Sequence, residues 1–177
     1  MGNEKAHKAL SSDPRIYQFG GFRNWEEGVE DEDGAKLRYE ALQMRLEKVG
    51  ATIPADAKIL EIGSGSGVFL RYLQKLGLDA VGVDARPRGE KTRNVVRARI
   101  EQLPFPDKSF GLVFSSAVFD SELYHQNQLA MIEEIVRVLK HGGIYFGILN
   151  DKETPFEEYF EVLESDASIG IGLYRKK

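Results

Sequence analysis

The sequence predicts one α/β domain, a doubly wound, mostly parallel seven-stranded sheet with helices on both faces and an antiparallel hairpin at its C-terminal end. Three observations predict it. From Lys58 onward, short apolar runs alternate with segments of helical period. The runs are apolar on both faces, as strands buried between two helix layers must be. The first run, "ILEIG", opens directly into a turn with glycine at alternate positions, "GSGSG".

Each element follows from its own stretch. Residues 35–49, AKLRYEALQMRLEKV, place Leu37, Ala41, Met44 and Val49 near one helical face with Leu42 and Leu46 beside it, and Gly50 ends the run. KILEIG is the first strand, and VFLRYLQKLG is a helix closed by Gly77. DAVGVD and NVVRARI, the latter over 94–100, are strands, and FGLVFSSAVF over 110–119 is another. QLAMIEEIVRVLK (128–140) has helical period and leads into the strand GGIYFGIL (142–149). Thr154 to Phe160 is short for a helix. YFEVLES and SIGIGLYRKK then read as two extended runs, an antiparallel hairpin on the sheet edge. Residues 1–34 are set apart as an N-terminal flap or lid segment, with 35–177 as the ligand-binding domain. The flap holds Tyr17, Phe19, Phe22 and Trp25 among glycines, followed by a dense acidic run.

Composition narrows the function. The 177 residues, 42% hydrophobic and 29% charged, suit one domain with a sizeable core. A net charge of −4 argues against a protein that holds nucleic acid by charge alone. With no cysteine, thiol nucleophiles, disulfides and cysteine-ligated zinc are excluded, and His7, His125 and His141 are too scattered in sequence for a ligand cluster, so no metal site is expected. The first residues lack the apolar centre of a signal peptide, and no window reaches the ~18 apolar residues of a membrane span. The expectation is a soluble, cytoplasmic protein.

The glycine turn follows the first strand of a strand–helix–strand unit, at the sheet edge where open α/β sheets bind ligands. Helix N–H groups following it aim at whatever is bound. Asp84 ends the next strand, 17 positions past Gly67, where a carboxylate accepts both hydroxyls of a ribose. The alternative is a tight structural turn followed by a surface aspartate. Strand context and Asp84 together favour a nucleoside-containing ligand. The spacing G-x-G-x-G, with valine where a dinucleotide fingerprint has its third glycine, disfavours a nicotinamide cofactor.

Four segments, in order, resemble the class I S-adenosylmethionine-dependent methyltransferases, in particular their small methyltransferase-domain members: "ILEIGSGSG", "AVGVDARP", "IEQLPFPDKSFGLVFSS" and "EEIVRVLKHGGIYF". The resemblance runs from about Lys58 to Leu149 and implies the Rossmann-like methyltransferase fold, whose last strand is inserted antiparallel. It also implies S-adenosyl-L-methionine as cofactor, with S-adenosyl-L-homocysteine as product. By that resemblance Gly63, Gly65 and Gly67, with Ser64 among them, let backbone lie against the methionine and ribose portions. Glu61 organises the loop and the cofactor's amino group. Asp84 takes the ribose hydroxyls, Ala85 lines the adenine, and Ile100 covers its other face and offers a backbone N–H. Ser115 and Ser116 face the methionine moiety and the transferred methyl; the alternative for both is a strand-end hydroxyl satisfied by backbone.

The chain departs from the family pattern at three places. Many relatives carry an acid just before the position of Ile100 that accepts a hydrogen bond from the adenine amino group, whereas this chain has Arg99, which cannot accept one. Either Arg99 points away, or the site takes an additional negative group. Gly111 and His141 replace the usual aspartate and proline, a difference expected to be structural drift. Charge is also segregated: residues 26–33 hold six acids, and 85–99 hold six bases and one acid. Two solvated loops are one reading; a basic loop that meets the acidic segment or an anionic substrate is the other.

Methyl transfer is an in-line displacement, so the chain has mainly to align a nucleophile and exclude water, and a general base is needed only for a protonated nucleophile. Ser115-Ser116-Ala117-Val118 stands where a signature like that of exocyclic-amine methyltransferases would be, which disfavours that chemistry. His125 is the candidate catalytic residue, with Tyr17, Trp25, Asp120 and Tyr124 on the substrate side. The expected substrate is a small molecule rather than nucleic acid or a membrane. The alternative function is a non-catalytic methyltransferase-like domain that binds the cofactor and serves a partner protein; a partner subunit, including a second copy of the chain, would then complete the substrate side.

Overall fold

The computed structural model describes residues 32–87, 94–115, 127–148, 156–166 and 171–177. Helix α1 is Glu32–Lys48, strand β1 Ile59–Ile62, helix α2 Val68–Lys75, and strands β2 and β3 are Ala80–Asp84 and Val95–Arg97. Strand β4 is Phe110–Ser115, helix α3 Gln128–Val138 and strand β5 Leu139–Ile148. A single helical turn, α4 (Phe156–Tyr159), precedes strands β6 (Phe160–Asp166) and β7 (Ile171–Lys176).

The seven strands form one sheet in the order β3-β2-β1-β4-β5-β7-β6. Pairings from β3 to β5 are parallel, and β7 pairs antiparallel with both β5 and β6. The predicted doubly wound sheet and hairpin are therefore present, with β7 inserted between β5 and the edge strand β6. Strand order reverses between β1 and β4, and the crevice at the carboxyl ends of those strands is where such sheets hold ligands.

Side-chain alternation along each strand divides the core in two. Ile59, Leu112, Phe114, Ile144, Phe146 and Leu173 face α1 and α2. Leu60, Ile62, Val113, Tyr145 and Tyr174 face α3, where they meet Met131, Ile132 and Ile135. Each fully buried Leu or Ile contributes about 1.5–3 kcal/mol, so the layers account for most of the driving force. Glu61 follows the same alternation and is carried under the α1 and α2 layer, which makes it the charged-type residue in a strand buried on every side.

Several element limits differ from the sequence reading. Helix α1 begins at Glu32 rather than 35, with Glu32 and Asp33 in its first turn, where carboxylates favour the helix dipole. Its buried residues are Gly34, Ala35, Ala41, Leu42 and Leu46, so the expected Ala41, Leu42 and Leu46 do face inward, while Leu37 and Met44 lie only partly buried. Helix α3 ends at Val138 instead of 140, since Leu139 is already extended (φ −73°, ψ 139°) and starts β5. The buried Lys176 ammonium donates to the Leu139 carbonyl at 2.8 Å and also to that of Val136, satisfying acceptors that the helix end leaves open.

Outside the sheet, two of the four recognisable segments are bonded to one another. Glu134 accepts the Leu103 N–H at 2.7 Å, and Arg137 donates to the carbonyls of Leu103 (2.9 Å) and Phe105 (2.8 Å) and to Asp107 (2.8 Å). The same guanidinium meets Glu134 at 2.6 Å, so the Leu103–Asp107 loop is held on α3 by one ion-paired unit. At Gly111 the register between β4 and β5 shifts, and a Cβ there would lie 2.6 Å from that of Ala57. Glycine at this position is a packing requirement of the chain.

Candidate active site

The glycine turn adopts backbone that only glycine takes readily. Gly63, Gly65 and Gly67 have φ of 75°, 52° and 72°, all left-handed, so side chains there would be strained. The N–H groups of Gly63 and Ser64 both donate to the Val83 carbonyl, at 2.8 and 3.1 Å, which ties the turn to β2. Gly67 N–H then donates to Ser64 O at 2.7 Å, closing the turn before α2 starts. Gly82 lets it come close, since a Cβ there would be 2.6 Å from Ser64 Oγ.

Asp84 is bound into this turn. One carboxylate oxygen accepts the Gly65 N–H at 2.9 Å and the other accepts the Arg86 N–H at 2.6 Å. A carboxylate offers about four acceptor positions, so each oxygen retains capacity for a further donor. Ala85 follows at the bend leaving β2 and is partly buried. The loop and the strand-end acid that sequence spacing paired are thus in direct contact.

Glu61 lies beneath them. It is 2% exposed, and among the described residues its Oε2 has no hydrogen-bond partner. Burial pushes its carboxyl up to about 8, against the opposing pull of the Arg38 charge, the Leu70 N–H and the Arg71 charge, while Asp84 adds to the rise. Ser64 Oγ is likewise buried without a partner among the described residues. Two buried polar atoms left open beside a glycine turn fit a ligand that brings its own polar groups.

Other predicted site residues fall elsewhere. Ile100 is buried in the α3-side core among Leu60, Ile62 and Val83. The Ser115 hydroxyl lies 2.6 Å from the buried Tyr145 hydroxyl on β5, a side-chain partner rather than the backbone one of the alternative reading. Burial also raises the Tyr145 phenol, so it is a neutral hydrogen-bonding partner. Ser116, Asp120, Tyr124, His125, Tyr17 and Trp25 lie outside the described residues. Among the described residues no group of three His, Asp or Glu side chains is placed to hold a metal ion, and no helix is long and apolar enough to cross a membrane.

Sequence reasoning missed a polar group on the rim. Arg99 is paired within its own loop: its Nη2 donates to Glu101 Oε1 at 2.8 Å and its Nε to Oε2 at 3.3 Å. Asn127 Nδ2, just ahead of α3, also donates to Oε1 at 3.3 Å. Arg99 and Glu101 are two apart on a loop, a spacing with no periodic signal, and Asn127 is remote in sequence.

Comparison with known proteins agrees with this architecture. The family model described as "Methyltransferase domain" matches residues 60–147, from β1 to β5. An uncharacterized methyltransferase of Synechocystis is 34% identical over 110 residues, covering 58% of this chain and 50% of that protein. The sarcosine/dimethylglycine N-methyltransferase of Aphanothece halophytica is 28% identical over 143 residues, covering 70% of this chain and 50% of that protein. The chain thus spans about half the length of these curated relatives. A TehB-like SAM-dependent methyltransferase from Corynebacterium glutamicum superposes with a TM-score of 0.56 at 20% identity, over 83% of this chain and 100% of that one, a likeness of fold. Sheet order, the glycine turn joined to its strand-end acid and the matched family model lead to one assignment: the chain belongs to the class I S-adenosylmethionine-dependent methyltransferases, in their methyltransferase-domain family.

Proposed function

We propose that this chain binds S-adenosyl-L-methionine and transfers its methyl group to a small molecule. The observation that carries the reading is the unit made by buried Glu61, the left-handed glycine turn and Asp84, whose carboxylate joins turn to strand. Its open acceptors suit a ribose and an ammonium group, and its exposed backbone suits close approach. The relative named for sarcosine and dimethylglycine supports a small-molecule acceptor.

When bound, the cofactor supplies an electrophilic methyl group. The chain's own residues bind and orient. Asp84 accepts from the ribose hydroxyls while it keeps the Gly65 and Arg86 N–H groups in place. Glu61 faces the amino group, and an incoming positive charge favours the ionised carboxylate that burial disfavours. Gly63 and Gly65 leave room for the chain between them. Asp120, Tyr124, His125, Tyr17 and Trp25 are the substrate-side candidates, with His125 as the base if the acceptor arrives protonated. Carboxylates and neutral amines need none.

Incubation with cofactor carrying a radiolabelled methyl group and a metabolite pool tests the reading. Label in an acid-stable small molecule supports it. Cofactor binding without transfer to any metabolite fraction assigns the chain instead to the non-catalytic domain that serves a partner.

A further inference from the structure

A row of residues near the carboxyl edge of the sheet carries hydroxyls that the cofactor reading leaves unused. Ile62, the residue before the glycine turn, pairs with Ser115, Ser115 with Gly147, Gly147 with Gly172, and Gly172 with the exposed Ser165. Paired residues share a face, so the row runs from the turn across β4, β5 and β7 to the edge strand. One row below, Tyr145 pairs with Tyr174. Both phenols lean over the glycines: a Cβ at Gly147 would collide with the hydroxyls of Ser115 and Tyr145, and one at Gly172 with that of Tyr174. Because β5 and β7 are antiparallel, the two rings reach the same way, toward the edge that holds the glycine turn. Glycine inside a strand leaves space for a close approach, and here it admits two phenol tips.

Neighbouring strands lie about 4.8 Å apart, which sets these tips about 10–14 Å across the sheet from the end of β1. A cofactor lying on the turn leaves the far part of that span to a small acceptor. The polar groups there are neutral donors. Ser115 and Tyr145 use one O–H group to join, at 2.6 Å, and keep a second. Tyr174 is 7% exposed, and among the described residues its hydroxyl has no hydrogen-bond partner. Burial raises both phenols, so both hold their protons at neutral pH. Lys176 is the charged side chain on this face of β7, and its ammonium lies at the opposite end on the carbonyls of Val136 and Leu139. The ring faces are packed on one another, Tyr145 on Tyr174 at 5.9 Å and Phe156 on Phe160 at 4.4 Å, so the wall presents edges and hydroxyls rather than faces to an ammonium. Neutral donors on an apolar wall do not offset the desolvation of a charged group.

We infer that Tyr174, beside the Tyr145–Ser115 pair, is a specificity residue that donates a hydrogen bond to an oxygen of an uncharged methyl acceptor. The inference rests on the methyl-transfer reading above and names the acceptor's class: a neutral molecule with a carbonyl, ether or hydroxyl oxygen beyond the atom that takes the methyl.

The test separates a metabolite pool by ion exchange at pH 7 into anionic, cationic or zwitterionic, and neutral parts. Each is offered to the full chain with S-adenosyl-L-methionine labelled in its methyl group. Label is expected chiefly in the neutral part. Tyr174→Phe, which keeps the ring, is expected to raise the half-saturating amount of that part at least about fivefold, with the saturating rate within about twofold and S-adenosyl-L-homocysteine affinity unchanged in calorimetry. A merely structural role for the hydroxyl would lower the unfolding temperature and leave the half-saturating amount where it was. Label entering chiefly a charged part, or a half-saturating amount unmoved in Tyr174→Phe, overturns the inference while methyl transfer stands. If no part accepts label, the methyl-transfer reading falls and this inference with it.

Discussion

Replacing Glu61 with glutamine keeps the shape of the side chain and an acceptor for the Leu70 N–H while it removes a carboxyl that burial pushes up to about 8. In the unfolded chain that carboxyl titrates near its ordinary value of 4.5. Between those pH values the folded protein holds a proton that the unfolded chain has lost. The stability from this group is therefore complete below pH 4.5 and is lost as pH rises through about 8. At 1.36 kcal/mol per pH step, the interval from 4.5 to about 8 gives a ceiling of about 5 kcal/mol, of which about 3 kcal/mol is already lost at pH 7. Glutamine carries no such penalty. Urea unfolding followed by far-UV circular dichroism from pH 5 to 8.5 should show Glu61→Gln close to wild type at pH 5 and progressively more stable above it, the gap reaching roughly 2–4 kcal/mol at pH 8. Parallel curves for the two proteins would refute the reasoning, because they would place the carboxyl in an environment where it ionises as freely folded as unfolded.

Asp84→Ala removes the proposed ribose acceptor and leaves the Gly65 and Arg86 N–H groups without theirs, so S-adenosyl-L-homocysteine affinity should fall by roughly 1.5–3 kcal/mol in calorimetry while the fold persists. Gly111→Asp restores the family's usual residue yet drives a Cβ to 2.6 Å from Ala57 Cβ; it should cost roughly 1–3 kcal/mol in thermal or urea unfolding, largely recovered by adding Ala57→Gly. Deletion of residues 1–31, which spares α1 from Glu32, should leave a folded sheet that binds cofactor more weakly and transfers no methyl group if that segment closes over the ligand; in the full chain Trp25 fluorescence should then change when cofactor is added.

The sheet was legible because its signals are local and redundant. Strand runs apolar on both faces, helix periodicity and a glycine turn each predict the same topology, whereas the spacing from Gly67 to Asp84 gave no sign that the Asp84 carboxylate itself accepts the Gly65 N–H. What stayed hidden depends on partners far apart in the chain. Nothing near Gly111 signals that Ala57 fills the space of its missing side chain. Ser115 carries no sign that Tyr145, one strand over, holds its hydroxyl. The stripe of α1 was legible in part: Ala41, Leu42 and Leu46 are buried as expected, but several apolar faces fit the sequence, and contact with α2 and the sheet adds Ala35 and leaves Leu37 and Met44 only partly buried. The family motif "EEIVRVLK" was visible as a pattern, but its physical role, Glu134 and Arg137 holding the Leu103–Asp107 loop, appears only when both segments are folded together.

Titration calorimetry of the full-length chain with S-adenosyl-L-homocysteine, and with NAD as the control, tests the central claim most directly. The account predicts one saturable site for S-adenosyl-L-homocysteine, weakened by Asp84→Ala, and no heat of binding with NAD. Absence of S-adenosyl-L-homocysteine binding by a folded chain, or saturable binding of NAD in its place, would contradict it.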